Sequence, residues 1–210
     1  VQNADWTITE EGGGLLFTGE HNTWKVPLPP LPGRHQYENA GLALAALDQA
    51  PFAIPPFALR SGFRNVEWPA RAQKLEQGPL VNALPAGWEL WLDGGHNAGG
   101  GAAVAALAAD RWGDAPLHLI CGMLTTKAAH DYLRPLAARA ASFTAVPIPG
   151  NETAFAPADL AAAATAAGHK NVREAEDVAT ALKAISPEGR GRVLICGSLY
   201  LAGEVLKTNS

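Results

Sequence analysis

The sequence is poor in charged residues and in cysteine, and it has no long hydrophobic run. Charged residues make up 17% of its 210 residues, and acidic residues outnumber basic ones by 20 to 16. The resulting net charge of −4 argues against a nucleic-acid partner bound through bulk positive charge. No apolar stretch is long enough to span a bilayer and we recognise no signal peptide, so we expect no membrane partner and a cytoplasmic location.

The scarcity of cysteine and the scatter of histidine argue against two kinds of site. Cys121 and Cys196 each end an apolar run, and we expect both to be buried thiols in core strands, because nothing indicates a secreted, disulfide-rich protein. No histidine forms a ligand-spaced pair with Cys or His, so we predict no metal site in this chain. The sequence also lacks Gly-x-Ser-x-Gly, the main signal of an acyl hydrolase.

After residue 75, apolar runs alternate regularly with alanine-rich segments. The expected strands cover residues 89–92, 117–121, 142–146, 171–173 and 192–196, and the expected helices cover 98–111, 128–141, 157–167, 178–185 and 199–206. Short apolar strands separated by helices predict an α/β, Rossmann-like fold with a mainly parallel sheet and helices on both faces.

The first third of the chain has a different pattern. Strand-like segments favour a short β meander, and two helices follow it; the segments are 5–9, 15–18 and 23–28, and the helices 33–47 and 55–60. Gly62 is expected to end the second helix. His35 and Asn39 share a face of the first helix, where helix capping and surface polarity are the simpler roles. A meander this small does not stand alone as a domain.

A proline marks the change between the two patterns. Pro69 forces an extended conformation on its neighbour, so we place an interdomain linker at residues 68–74. It separates a small α+β region at 1–67 from a C-terminal domain at 75–210. For Arg71 in this linker, the ordinary role is a solvated surface side chain, and the functional alternative is a contact with phosphate.

One turn concentrates polar and flexible residues. Asp93, His96, Asn97 and five glycines follow directly on a strand-like run, at the strand end and helix start where α/β proteins bind ligands. Simpler roles stay open: Asp93 as a helix cap, His96 as a surface histidine, and Ser198, after the last strand, as an N-cap. Glycines at a helix start cost stability unless another group approaches the backbone closely or φ is positive.

Four motifs in order along the chain resemble the C-terminal half of folylpolyglutamate synthase/dihydrofolate synthase, a family of the Mur ligase superfamily. They are Gly33-Arg34-His35-Gln36-Tyr37-Glu38-Asn39-Ala40, Trp68-Pro69-Ala70-Arg71, Leu92-Asp93-Gly94-Gly95-His96-Asn97 and Gly197-Ser198-Leu199-Tyr200-Leu201-Ala202-Gly203. The sequence departs from the family's pattern at Ala70, where the family usually has Gly, and at Gly95, where it usually has Ala. Thr125-Thr126-Lys127 stands in place of an Asp-Lys-Asp-like turn.

The resemblance implies an ATP-dependent ligase that adds L-glutamate to folate, to dihydropteroate, or to both, through an acyl phosphate. It assigns no catalytic residue to this chain, places the ligands of Mg²⁺ upstream of it, and leads us to expect a monomer. The residues it assigns are Asn39, near the adenine, Arg71, at the phosphates, and Asp93 for ATP, and His96, Ser198 and Tyr200 for glutamate.

The superfamily's phosphate loop, which ends in Gly-Lys-Ser or Gly-Lys-Thr, does not occur in this sequence. Since the sequence starts at Val1 within a strand-rich region, we expect the tail of a central ATP-binding domain followed by an intact C-terminal domain, inactive alone. Two alternatives stay open: part of a peptidoglycan Mur-type amino-acid ligase, and a non-catalytic Rossmann-like binding module. The lack of Gly-x-Gly-x-x-Gly after the first long strand argues against a dinucleotide ligand.

Overall fold

The computed structural model describes residues 2–3, 5–185 and 190–209, and the chain divides into two compact units, 1–69 and 70–210. We expect the sequence to start inside a sheet, but its first residue, Val1, lies outside the described residues. No helix within those three ranges combines the length and the apolar character needed to cross a lipid bilayer.

The first unit packs two helices with a three-stranded antiparallel sheet. The sheet has the order β1-β2-β3, with β1 Thr7–Glu11, β2 Gly14–Thr18 and β3 Thr23–Pro27, and the helices are α1 His35–Asp48 and α2 Pro56–Arg64. Alternate residues of β2, Leu15 and Phe17, are buried in one cluster with Leu44 of α1 and Leu59 of α2. The prediction that Gly62 ends α2 is wrong: the helix continues through it to Arg64, because one glycine costs a helix only about 1 kcal/mol relative to alanine.

The second unit is a six-stranded sheet with helices on both faces, which confirms the predicted α/β class. Its strand order is β4-β5-β9-β6-β7-β8, and every pairing is parallel except that of β4 with β5. The strands are β4 Gln73–Leu75, β5 Glu89–Leu92, β6 Leu117–Cys121, β7 Ala140–Ala145, β8 Val172–Glu174 and β9 Arg192–Cys196. The helices are α3 Pro79–Asn82, α4 Ala98–Trp112, α5 Ala129–Ala137, α6 Pro157–Ala166, α7 Val178–Lys183 and α8 Leu199–Thr208.

Alternation along the central strands builds two cores. In β9, Leu194 and Cys196 face α4, α5 and α6, whereas Val193 and Ile195 face α3, α7 and α8. Because both faces are covered, every one of these side chains is buried, and the strand is a continuous apolar run. Both cysteines are free and buried, as the sequence predicts.

The second unit differs from the sequence prediction at β4, at the unpredicted helix α3 and at the end of α5. Gln73 and Lys74, assigned to the linker, belong to the edge strand β4. The helix expected to reach residue 141 ends at Ala137, because Ala140 already pairs with Leu117 of β6. Alanine favours helix by only a few tenths of a kcal/mol over most residues, so strand pairing outweighs its preference here.

Candidate functional site

The carboxyl ends of four neighbouring parallel strands meet at one edge of the large sheet. In the order β5, β9, β6 and β7, the segments that follow them begin at Asp93, Gly197, Gly122 and Val146. The four turns therefore lie side by side along this edge. The connection from β5 to β6 passes over β9, so the edge contains the kind of crevice where α/β proteins bind ligands.

Asp93 is buried at the end of β5 and holds two backbone amides. Its Oδ1 accepts a hydrogen bond from Gly95 N at 2.7 Å, and its Oδ2 accepts one from Ala72 N at 2.9 Å. The helix cap of α4 is instead Asn97, whose Oδ1 accepts from Gly100 N at 2.8 Å. Asp93 therefore does not cap the helix, and its carboxylate joins the strand end to the segment that carries Arg71.

That segment is a strained turn with Arg71 at its centre. Ala70 and Ala72 both have positive φ, +58° and +45°, a conformation that costs a residue with a side chain about 1–2 kcal/mol. Both methyl groups are buried, while Arg71 is partly exposed. The conformation explains why glycine would be at home at residue 70, and it shows that neighbouring groups must hold the turn in place.

Two further hydrogen bonds hold the turn. Gly94 N donates to Ala70 O at 2.8 Å, and Ala70 N donates to Gln73 Oε1 at 3.0 Å. Gln73 and Ala72 are residues that sequence reasoning missed. One feature of the sequence could have predicted this turn. Ala70 stands at a position of its motif where glycine is usual, and glycine at a fixed position indicates a positive φ.

His96 lies in the turn between β5 and α4 and is partly buried. Its Nδ1 is 2.9 Å from the carbonyl oxygen of Gly94. A carbonyl can only accept, so Nδ1 carries the hydrogen and Nε2 is the nitrogen left for a ligand. A neutral ring accepts a hydrogen at Nε2, and a protonated ring donates one to a carboxylate.

Ser198 and Tyr200 lie at the start of α8, next to this turn. Ser198 is buried and is the N-cap of α8, as its simpler reading predicts; its Oγ accepts from Tyr200 N at 3.1 Å. The Tyr200 side chain is 62% exposed and reaches solvent. Leu199 packs so tightly on Gly94 that a side chain at residue 94 would overlap it. The turn after β5, which carries His96, is therefore in contact with the start of α8, which carries Ser198 and Tyr200.

One of the five glycines in and before the first turn of α4 serves helix packing. None of the five has a positive φ, so conformational freedom is not their reason. A methyl group at Gly101 would overlap the backbone carbonyl of Tyr132 on α5. Close approach is the role that the sequence suggests for these glycines, and at this position the approaching group is a neighbouring helix.

The thiol and phenol groups buried beneath this edge of the sheet are not reactive at neutral pH. Burial raises the pKa of the Cys121 thiol well above its ordinary value, and the adjacent Cys196 raises it further. Burial likewise raises the pKa of Tyr132. Both groups stay protonated at neutral pH, so neither supplies a nucleophile. Among the described residues, no three His, Cys, Asp or Glu side chains cluster as metal ligands would.

Asn39 belongs to the first unit, on an exposed turn of α1. Its Nδ2 donates to Gln36 Oε1 at 3.0 Å, and Gln36 Nε2 lies 3.0 Å from His35 Nε2. Asn39 and Gln36 line a cavity of about 480 Å³ whose other walls are mostly apolar side chains of α1, α2 and the adjoining loops. An apolar cavity with two carboxamides at its wall suits a flat heteroaromatic ring with a polar edge.

Comparison with known proteins gives this architecture a family. A family model described as dihydrofolate synthetase, C-terminal domain, matches residues 82–208. The dihydrofolate synthase/folylpolyglutamate synthase of Mycobacterium tuberculosis is 30% identical over 198 residues, which cover 83% of this chain and 38% of that protein. This chain therefore spans less than half the length of that relative.

Solved structures agree over the whole chain. Mycobacterium tuberculosis folylpolyglutamate synthase complexed with ADP and AMPPCP superposes with a TM-score of 0.78 at 26% identity, covering 100% of this chain and 49% of that one. Folylpolyglutamate synthase of Thermotoga maritima gives 0.73 at 26% identity, with coverage of 100% and 48%. By the match over residues 82–208, supported by these likenesses, the chain belongs to the folylpolyglutamate and dihydrofolate synthase family and corresponds to its C-terminal part.

Proposed function

We propose that this chain is the glutamate-binding part of an ATP-dependent ligase that joins L-glutamate to folate, to dihydropteroate, or to both. The observation that carries the proposal is the contact between the His96 turn and the Ser198 cap on neighbouring strands β5 and β9. The relatives support it through their names, which are those of folylpolyglutamate and dihydrofolate synthases.

The polar groups at this edge match the chemistry of glutamate. The helices α4 and α8 both begin here, and helix N-termini favour carboxylates. Ser198 Oγ already accepts a hydrogen bond from Tyr200 N, so its own hydrogen can be donated to an acceptor such as a carboxylate oxygen. His96 Nε2 and the Tyr200 hydroxyl complete the proposed set. Holding both carboxylates leaves the amine free to attack, which is catalysis by positioning.

ATP is the proposed second substrate. It would activate the acceptor's carboxylate as an acyl phosphate, which the amine of glutamate then attacks with release of phosphate. Asn39 and the apolar cavity suit the adenine, and the Arg71 guanidinium suits the phosphates. Asp93 stays a prediction as a nucleotide contact. The Mycobacterium tuberculosis synthase was solved with ADP and AMPPCP, which supports a nucleotide site; Mg²⁺ with ligands outside this chain stays a prediction.

A ligation assay tests the proposal. The full-length enzyme carrying this chain should join L-glutamate to folate or dihydropteroate with consumption of ATP, and should not use UDP-sugar acceptors. His96→Ala should raise the KM for glutamate at least tenfold, because a hydrogen bond to a charged group contributes about 1.5–3 kcal/mol. His130→Ala, on the exposed side of α5, is the matched control. Equal activities of the two variants would support a non-catalytic binding module.

The chain by itself is proposed to be inactive. Its sequence contains no phosphate loop ending in Gly-Lys-Ser or Gly-Lys-Thr, and phosphoryl transfer depends on groups that hold the β- and γ-phosphates and Mg²⁺. Purified 210-residue chain should therefore show no glutamate-dependent release of phosphate from ATP. Turnover by this chain alone would refute that part of the proposal.

A further inference from the structure

We infer that Asp93 is a positioning residue that acts through Arg71, by holding the strained turn at residues 70–73 against the end of β5. The inference rests on the proposed function, in which Arg71 contacts the phosphates of ATP. It adds a positioning role: Arg71 contacts the phosphates, and Asp93 fixes the backbone position of Arg71.

The first argument is the pair of hydrogen bonds that Asp93 makes. One carboxylate oxygen accepts from Gly95 N in its own turn, and the other accepts from Ala72 N, 21 residues earlier. Both oxygens face backbone amides, so this carboxylate serves as a two-sided acceptor. Asparagine cannot replace it, because one of its two side-chain atoms is a donor and would face an amide hydrogen.

The second argument is the conformation of the turn. Ala70 and Ala72 stand on either side of Arg71 with positive φ, and residues with side chains keep that conformation only when their surroundings enforce it. The enforcing bonds come from Asp93, from Gly94 N to Ala70 O, and from Gln73 to Ala70 N. Without these bonds the turn would relax, and the backbone that carries the Arg71 side chain would no longer be fixed in place.

The third argument is that one short segment, residues 93–96, positions both proposed sets of ligand contacts. Asp93 and Gly94 bind the turn of Arg71, and the same short segment places His96 next to the N-cap of α8. A single rigid strand end therefore sets the place of the proposed phosphate contact and of the proposed glutamate contacts. Reacting groups must be held within fractions of an ångström, and a shared anchor provides this.

The first test is structural and needs no ligand. In the 210-residue chain, amide hydrogen exchange is measured by NMR at Ala72 and Gly95 for the wild type, Asp93→Asn and the matched control Asp177→Asn. We expect exchange at Ala72 and Gly95 to rise at least tenfold in Asp93→Asn only. Unchanged exchange at Ala72 would overturn the inference, whatever the enzyme's activity.

The second test is a double-mutant cycle on the KM for ATP in the full-length enzyme, with Arg71→Ala, Asp93→Asn and the double variant. Action through Arg71 predicts that each single variant raises the KM at least tenfold and that the double variant raises it by much less than the product of the two single effects. Effects that multiply in full would show that Asp93 acts independently of Arg71 and overturn the inference. An Arg71→Ala variant with normal KM would instead refute the proposed phosphate contact and leave the exchange result standing.

A milder variant covers the case in which Asp93→Asn does not fold. Gln73→Ala removes the bond that the partly buried Gln73 side chain accepts from Ala70 N in the same turn. It should raise exchange at Ala70 and raise the KM for ATP by a smaller factor, about threefold, without changing the KM for glutamate. Unchanged exchange at Ala70 would show that the turn keeps its conformation without its anchoring bonds and would overturn the inference.

Discussion

Gly101 on α4 lies directly against the backbone carbonyl of Tyr132 on α5, so closely that a methyl group at residue 101 would overlap the carbonyl oxygen. A backbone atom cannot turn aside as a side chain can. The spacing of the two helices is therefore set by the absence of a side chain at this one position, and with it the place of the helix start beside His96.

A change of this glycine should destabilise the second unit. We expect Gly101→Ala to lower the free energy of unfolding by about 1–3 kcal/mol, the usual cost of overpacking. The matched control is Gly203→Ala in α8, where a side chain would meet nothing within 4 Å; it should raise stability by about 0.5–1 kcal/mol. Urea unfolding of the 210-residue chain measures both. Equal effects of the two substitutions would contradict the close approach.

Ser198 should have two separable effects when it is replaced. Ser198→Ala removes the N-cap of α8, at a cost of about 1 kcal/mol, and under the proposed function it should also raise the KM for glutamate at least tenfold. Asp177→Ala removes the N-cap of α7 and should cost a similar amount of stability with no change in KM. Thermal unfolding and steady-state kinetics separate the two effects. If both variants leave the KM unchanged, Ser198 is a cap and nothing more.

Asn39 should affect ATP and leave glutamate alone. Asn39→Ala removes a carboxamide from the wall of the cavity in the first unit, and we expect the KM for ATP to rise about tenfold, as for the loss of one well-placed hydrogen bond. The KM for glutamate should stay unchanged. Asn65→Ala, whose side chain bonds Ser61 on the exposed side of α2, is the control. A tenfold rise in the control as well would indicate a general loss of structure.

Asp48 gives the first unit a dependence on acid. Burial by itself raises the pKa of Asp48, but hydrogen bonds from the Asn22 side chain and the His21 amide outweigh it and hold the pKa below the ordinary 3.8. The carboxylate therefore stabilises the fold at pH values above 3.8, and this contribution is lost as the pH falls through the lowered pKa.

Substitution should remove that dependence. In Asp48→Asn, the free energy of unfolding of the first unit should change less between about pH 5 and about pH 2 than in the wild type. Glu10→Gln, on the exposed strand β1, is the matched control and should keep the wild-type slope. Unfolding monitored by tryptophan fluorescence measures it; parallel curves for Asp48→Asn and the wild type would refute the role of Asp48.

Much of the fold follows from local patterns, and the exceptions have physical causes. The strands at 89–92, 117–121 and 192–196 were predictable to the residue, because apolar runs bounded by glycine or polar residues are the signature of buried parallel strands. The short elements β4 and α3 were not predictable, since three or four residues carry too little periodicity. The end of α5 was lost because strand pairing at Ala140 overrides helix preference.

The site divides in the same way. The strand-end position of Asp93 and His96 and the capping role of Ser198 could be read from neighbouring residues. The partner of Asp93 could not, because Ala72 lies 21 residues away and offers only a backbone amide. Any residue other than proline can donate a hydrogen bond from its backbone amide, so the residue type at the donor gives no sign of such a bond. The positive φ of Ala70 and Ala72, which shows that the turn beside Arg71 must be held in place, is visible only in the structure.

The place of β9 in the sheet has a consequence for how the protein is made. β9 is the last of the described strands in sequence, yet it lies between β5 and β6 and pairs with both. During synthesis, the slot between those strands stays open until residues 192–196 have left the ribosome, and the contacts that close it are among the longest in sequence. The six-stranded sheet is therefore complete only after residues 192–196 have emerged, and a deletion that removes them would remove the centre of the sheet.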